Sequence, residues 1–420
     1  MLYEAYEMTR GWFTGASMAA QASAQWWSSP VNPLAYTGAG EVARAALDVF
    51  AHAAAPRGKP EFDLPTTRID GREVKITEVI VDRKPFGQLL RFEREGAGED
   101  DPKLLIVAPM SGHYATLLRG TVERMLPRHD VYITDWRDAR LVPLSSGTFD
   151  FEDYVEYLVE WLSLISPGDS PRPHMLAVCQ PSVPSYVATA LMAADKHPAR
   201  PCTLTMMGGP IDTREAPTSV NMMAMERPLA WFDQNVIATV PNLYPGAGRQ
   251  VYPGFVQLAG FMSMNLGNHL NSHWDMFKHL VQGDDESAEA SKKFYEEYRS
   301  VCDMTAEFYL QTVDSVFQRH LLPKGEMHHR GVRVDPAKIT DVGLFAVEGE
   351  RDDISGLGQT RAALDLAVNL PDSYKRYYMV PGVGHYGIFN GGRWRNAIAP
   401  KVETFIHTAE CSKGICALAA

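Results

Sequence analysis

Three residues of this 420-residue chain, a cysteine, an aspartate and a histidine, are of the types that together carry out nucleophilic acyl chemistry. Cys179 lies in MLAVCQPSVP (175–184), where a short apolar run gives way to a Pro–Ser turn and then an Ala-rich helical stretch. A thiol in such a strand-to-helix turn stands clear of the sheet. The amide that follows it, that of Gln180, is aimed at an oxygen of the group under attack. A free thiol has a pKa of roughly 8.5, so attack at neutral pH needs a base, and the start of a helix adds a favourable dipole. His385, in PGVGHYG (381–387) after the run Tyr377–Val380, is the candidate base. Asp352, in EGERDDI (348–354) after Leu344–Val347, is the candidate acid that orients the imidazole and stabilises its charged form.

Each residue has a plainer reading when taken alone. A cysteine at a strand end is commonly a small core residue, an aspartate after a strand commonly a cap or turn residue, and a loop histidine commonly a surface one. The order of the three, each directly after a predicted strand, is that of an α/β-hydrolase and not of chymotrypsin or subtilisin. The usual G-x-nucleophile-x-G frame is altered, with Ala177 and Pro181 in the glycine positions. Alanine is small enough for a crowded turn, and proline is tolerated in a first helical turn. A second oxyanion donor is expected from the loop APMSGHY (108–114), as the backbone N–H of Ser111 or of its neighbour Met110. The dipeptide Gly112–His113 sits where lipases carry a Gly-rich oxyanion loop. Asp353 and Asp212 compete with Asp352 for the role of acid; Asp352 is preferred because it comes first after its strand. Asp135–Trp136–Arg137–Asp138 is read as structural, its charges fixing the loop beside the site.

The elements that must position these residues follow from the hydrophobic pattern. Val74–Val81 and Gln88–Phe92 read as a β pair. Leu104–Ala108, Val131–Thr134, Met175–Val178 and Thr203–Met207 read as strands buried on both faces. Phe151, Tyr154, Val155, Leu158, Val159 and Leu162 recur at helical spacing. Short strands alternating with helices imply a mostly parallel central sheet. The expected organisation is an N-terminal helical and aromatic segment (1–61), an α/β core (62–211 and 336–410), a helical cap inserted after the sixth strand (212–335) and a tail (411–420) that frays. Within the cap, Phe255–Met264, Trp274–Leu280 and Phe294–Phe317 read as helical, and Trp394–His407 is expected as a C-terminal helix.

Composition bounds the function. A net charge of −11 and an absence of basic runs argue against a nucleic-acid binder. No stretch approaches the roughly 20 apolar residues of a membrane span. Five scattered cysteines (179, 202, 302, 411 and 416) and no recognisable secretory signal suggest a reduced, cytoplasmic protein. Cys411 and Cys416 lack companion His or Cys ligands, so no zinc site is expected there, and acyl transfer by a cysteine nucleophile requires neither a metal nor an organic cofactor.

Several motifs together resemble the intracellular poly(3-hydroxybutyrate) depolymerases: APMSGHYATLLR (108–119), YITDWRDAR (132–140), AVCQPSVP (177–184), TMMGGPIDTR (205–214), VYPGFVQLAGF (251–261), VEGERDDISG (347–356) and GHYGIF (384–389). The likeness runs from Met1 to about His407. It implies an α/β-hydrolase fold and a Cys–Asp–His triad on Cys179, Asp352 and His385. The implied partner is the surface of amorphous polyester granules, cut to small hydroxyacid products. Rival readings are a polyester synthase-like acyltransferase, a general esterase or thioesterase, and a non-catalytic granule coat. The aromatic N-terminus (Trp12, Phe13, Trp26 and Trp27) suits either a granule surface or packing within the protein, and a homo-oligomer is left open.

Overall fold

The computed structural model describes residues 2–96, 98, 101–168, 170–264, 278, 292, 295–412 and 415–418. Nine strands among them form one sheet: β1 (Thr66–Ile69), β2 (Arg72–Arg83), β3 (Gly87–Arg94), β4 (Lys103–Val107), β5 (Asp130–Trp136), β6 (His174–Val178), β7 (Thr203–Met207), β8 (Gly343–Gly349) and β9 (Lys375–Val380). Their order is β1-β2-β3-β5-β4-β6-β7-β8-β9. The first three strands and the β3–β5 junction are antiparallel, and every later pairing is parallel. This is an α/β-hydrolase sheet. The interior strands β4, β6, β7 and β8 are buried almost throughout, as strands covered on both faces must be. The short β1 is one strand more than the hydrophobic pattern indicates. TTRI pairs with β2 at a half-exposed edge, where little apolar signal is needed, so the long excursion after Met207 follows the seventh strand and not the sixth.

Six helices frame the site and its surroundings: α1 (Leu2–Trp27), α2 (Gly38–Ala54), α3 (Phe151–Ile165), α4 (Ser182–Ala194), α5 (Gly254–Met264) and α6 (Ala306–Thr312). Helix α3 starts at an Asp150/Asp153 capping box and buries Phe151, Tyr154, Val155, Leu158 and Leu162, the face marked by their spacing. Helices α1 and α2 pair closely through small side chains. Ser17, Ala20, Ala24, Ala45 and Ala51 are buried, and the Ser17 hydroxyl donates to the Ala51 carbonyl at 2.7 Å.

The stretch Phe294–Phe317 is not one helix. It breaks at Ser300–Asp303, where Val301 bridges His113 and Met304–Thr305 joins a small antiparallel sheet. The expected helix Trp274–Leu280 falls largely outside the described residues. The tail does not fray as expected, since Ala409–Ser412 pairs with Ile415–Leu418 as a hairpin. Cys179 and Cys302 are free thiols, whereas Cys202 is held in a disulfide, so the chain is not wholly reduced as expected. No helix among the described residues is long and apolar enough to cross a membrane.

Candidate active site

Cys179 follows β6 directly and takes a left-handed backbone, φ 67°. A side chain beyond glycine rarely adopts that conformation without surrounding structure to enforce it. The enforcement is visible. Its N–H donates to the Met207 carbonyl at 2.7 Å, and its carbonyl accepts from the Ser182 N–H at 3.0 Å, where α4 begins. Pro181 sits just ahead of α4 with helical torsions, so the altered frame still closes a tight turn. The turn packs against Gly209, where a Cβ would lie 2.1 Å from the Ser182 side chain. A glycine is therefore needed across from the turn even though its flanking positions have lost theirs.

Asp352 and His385 leave the C-terminal ends of β8 and β9, on the same side of the sheet as Cys179. His385 Nδ1 and Asp352 Oδ2 are 2.7 Å apart, and both side chains are buried. The other carboxylate oxygen, Oδ1, accepts the N–H groups of Ile354 (2.9 Å) and Ser355 (2.8 Å). With both oxygens engaged, the carboxylate holds the ring in one orientation. Burial alone would depress the imidazole. The Asp352 charge, hydrogen-bonded to the ring, and the nearby Cys179 sulfur instead raise His385 well above its ordinary pKa of 6.5. Gly208 (φ 61°) makes room for the pair, since a Cβ there would sit 3.1 Å from His385 Cε1 and 3.2 Å from Asp352 Oδ2.

The competing acids do not reach the imidazole pair. Asp212 is bound in a two-pronged ion pair to Arg214, with contacts of 2.8 and 2.7 Å, which holds its carboxyl below the usual range despite the opposing effect of burial. Asp353 is exposed. Asp138 and Asp135 serve elsewhere. Asp138 meets Arg140 at 2.8 Å and accepts from the Tyr114 hydroxyl at 3.2 Å, while Asp135 takes Lys59 and Gln88.

Met110 and Ser111 lie in the loop that leaves β4, and Gly112 there adopts φ 87°. Among the described residues, the backbone N–H groups of Gln180, Met110 and Ser111 have no acceptor. The loop is braced from beneath. The Ala108 carbonyl accepts from Trp136 Nε1 (2.8 Å) and the Tyr154 hydroxyl (3.2 Å), and the Ala108 N–H donates to Thr134 Oγ1 (2.9 Å). It is braced from above by α5, where the Gln257 amide donates to the Ser111 carbonyl. Residues 298–302 add two contacts: Cys302 N–H donates to the Gly112 carbonyl at 2.7 Å, and His113 Nε2 meets the Tyr298 carbonyl at 3.0 Å. Burial pushes the His113 ring down to about 4, so it is neutral at physiological pH.

Sequence reading did not single out Gln257, Tyr298 or Tyr386 for the site. Tyr386 follows His385 and packs edge-on against its ring and against Tyr298. Only its place beside the candidate base signals it. No polar atom among the described residues meets either amide atom of the buried Gln180 side chain. No cluster of three or more potential metal ligands occurs among the described residues.

Residues 208–410 match the protein family described as PHB de-polymerase C-terminus. Similar solved structures include a 2-hydroxy-6-oxo-6-phenylhexa-2,4-dienoate hydrolase from Rhodococcus sp. strain RHA1, at 14% identity over 80% of this chain and 99% of that one, with a TM-score of 0.42. A thermophilic esterase from Thermogutta terrifontis is 13% identical over 81% and 97% of the two chains, with a TM-score of 0.40. The enol-lactonase from Burkholderia xenovorans LB400 is 10% identical over 82% and 100%, with a TM-score of 0.41. Likenesses this distant speak to neither substrate nor mechanism. No curated protein matches the chain.

Proposed function

On the premise that residues 208–410 place this chain in the PHB de-polymerase C-terminus family, on an α/β-hydrolase fold, we propose that it hydrolyses poly(3-hydroxybutyrate) through Cys179, His385 and Asp352. The observation that carries the reading is the Asp352–His385 pair at 2.7 Å, on the same edge of the sheet as a cysteine on a strained strand-to-helix turn. His385 takes the thiol proton as Cys179 Sγ bonds to the ester carbonyl carbon. The carbonyl oxygen gains negative charge and is met by the free N–H of Gln180 and that of Met110 or Ser111. Collapse breaks the ester C–O bond. The leaving alkoxide takes the proton from His385, and a thioester remains on Cys179. His385 then removes a proton from water, whose oxygen attacks the thioester. The acid is released and the thiol regenerated. The unpartnered amide of Gln180 is positioned to meet a polar group of the substrate.

In this reading residues 212–335 act as a cap, and the contacts of Gln257, Tyr298 and Cys302 with the oxyanion loop support it. The α1–α2 hairpin is the surface-seeking part, bringing the enzyme to granules in the cytoplasm. Residues 11–40 hold no charged residue, and Trp12 (79% exposed), Met18 (67%) and Trp26 (55%) stand out into solvent. A neutral apolar polymer suits such a face better than an anionic one does.

The test is release of 3-hydroxybutyrate from native amorphous granules by wild type and by Cys179→Ala. Activity in the wild type and a loss of at least about 10³-fold in the variant are expected. Equal release by both would place the nucleophile elsewhere. Release by neither, with free coenzyme A produced from 3-hydroxybutyryl-coenzyme A, would favour the acyltransferase. Deleting residues 1–30 should abolish co-sedimentation with granules and spare hydrolysis of short soluble esters; a truncated protein that still sediments with granules would show that the hairpin is not the anchor.

A further inference from the structure

A cavity of about 370 Å³, with none of Cys179, Asp352 or His385 in its lining, lies between α1, the segment after α2, α5 and residues 299–303. Its lining is of two kinds. One is apolar. Phe255, Leu258 and Met262 project from α5 at i, i+3 and i+7, and Tyr6 and Phe13 of α1 face them. The cavity is also lined by four arginines, Arg10, Arg57, Arg140 and Arg299.

Three of the four have carboxylate partners. Arg10 meets Glu7 at 2.9 Å, Arg57 meets Glu296 at 3.2 Å and Arg140 meets Asp138 at 2.8 Å. Arg299 has none among the described residues. Its guanidinium donates to the His52 carbonyl at 3.3 Å, an oxygen that Arg57 also uses at 2.9 Å. Two cations thus converge on one neutral acceptor, and Arg57 Nε is buried without a partner among the described residues. Burial and the neighbouring Arg57 charge both lower the Arg299 pKa. Among the described residues, the one acid lining the cavity is Asp303. Its oxygens are already taken by the Tyr3 hydroxyl at 2.5 Å and the Gly254 N–H at 3.0 Å. A half-buried cation with no counter-charge among the described residues is unfavourable unless something supplies one.

We propose that this cavity binds a small monocarboxylate with a short apolar tail, its carboxylate between Arg299 and Arg57 and its tail along Phe255, Leu258 and Met262. A carboxylate matches the planar fork of a guanidinium, and the apolar lining matches an acyl chain of a few carbons. Hydroxyacids from ester hydrolysis and short fatty acids share this chemistry. The cavity is distinct from the catalytic cleft, so its occupancy can be read as binding without turnover and stands whether or not the cleft cuts polyester.

The experiment is calorimetric titration of the full chain with hexanoate and with its neutral isostere hexanamide. Hexanoate is expected to bind and hexanamide to bind at least about tenfold more weakly. Arg299→Met should weaken hexanoate by about tenfold or more. Leu258→Trp, which fills the apolar part and keeps all four guanidinium groups, should do the same, so a folding defect in one variant does not decide the matter. Alkylating Cys179 with iodoacetamide should leave binding intact. Hexanoate binding that survives both substitutions, or that disappears on alkylation, would assign it to the catalytic cleft and overturn the proposal. Equal affinity for hexanamide, or no hexanoate binding at all, would overturn it too.

Discussion

Two buried carboxylates in this molecule stand in nearly the same degree of isolation and meet opposite fates. Asp352 and Asp303 are 8% and 3% exposed. Asp352 accepts two backbone N–H groups on one oxygen and meets, through the other, an imidazole that can gain or lose a proton. Asp303 sits in a knot with Asp138, Arg140, Tyr3 and Tyr114, where the Arg140 guanidinium serves two acids. Burial, with Asp138 beside it, drives Asp303 up to about 7, and Arg140 only partly offsets this. The lesson concerns the partner more than the depth. A titratable neighbour suits a buried acid to orienting a base, whereas a permanent cation and a pair of phenols make it a joint between α1, α5 and the loop at 303.

The sharpest way to break this contrast is Asp352→Asn. It keeps the shape and removes the charge that holds His385 protonatable. Ester hydrolysis is expected to fall by about 10²–10⁴-fold, with little change from Asp212→Asn or Asp353→Asn in the same assay. A comparable fall for Asp212→Asn would move the acid to the earlier strand. The pH dependence of stability has a definite sign. His385 is raised in the folded state, so its contribution is complete below about pH 6.5 and is lost as pH climbs through the elevated folded value. Urea titrations of wild type should show that alkaline loss, and Asp352→Asn should flatten it.

The next effect belongs to the other acid. A carboxyl raised from 3.8 to about 7 binds its proton more tightly when folded, so it subtracts stability progressively as pH rises across that interval. Asp303→Asn should remove the slope and be relatively more favourable at pH 7.5 than at pH 4.5. If the slope survives, Asp138 carries the titration and the two acids have been assigned the wrong way round. The smallest effect is expected from Tyr3→Phe, which deletes one hydroxyl donor 300 residues away in sequence from its acceptor and should cost about 1 kcal/mol, with no change in turnover. A loss of turnover in that variant would mean that the joint and the catalytic cleft are not separable.

Much of the cleft was legible because its parts are local. Strand ends can be read from apolar runs, and in a parallel sheet the C-terminal ends share one side. Cys179, Asp352 and His385 could therefore be brought to one side from their positions alone. The preference for Asp352 over Asp353 followed from its place after the strand, and the ion pair of Asp212 with Arg214 agrees with it. The Asp303 knot was not legible. Tyr3, Asp138 and Asp303 carry no shared spacing, and their meeting depends on how α1 crosses the loops beyond β5 and α5. The edge strand β1 was missed for a related reason: a four-residue strand at a solvent-exposed edge has almost no hydrophobic pattern to reveal it.

What the sequence determined by itself is the order of strands and helices, the side of the sheet on which chemistry gathers, and the residue types present there. Each depends on short-range periodicity and on the handedness of connections, which hold in any chain with that pattern. Tertiary structure alone decided the left-handed backbone of Cys179, the room that Gly208 leaves for the imidazole pair, the bracing of Ser111 by Gln257 and the crowding of four arginines at one cavity. These are matters of distance between segments remote in sequence. Electrostatic and steric energies change steeply over an ångström, a scale that residue spacing along a chain does not encode.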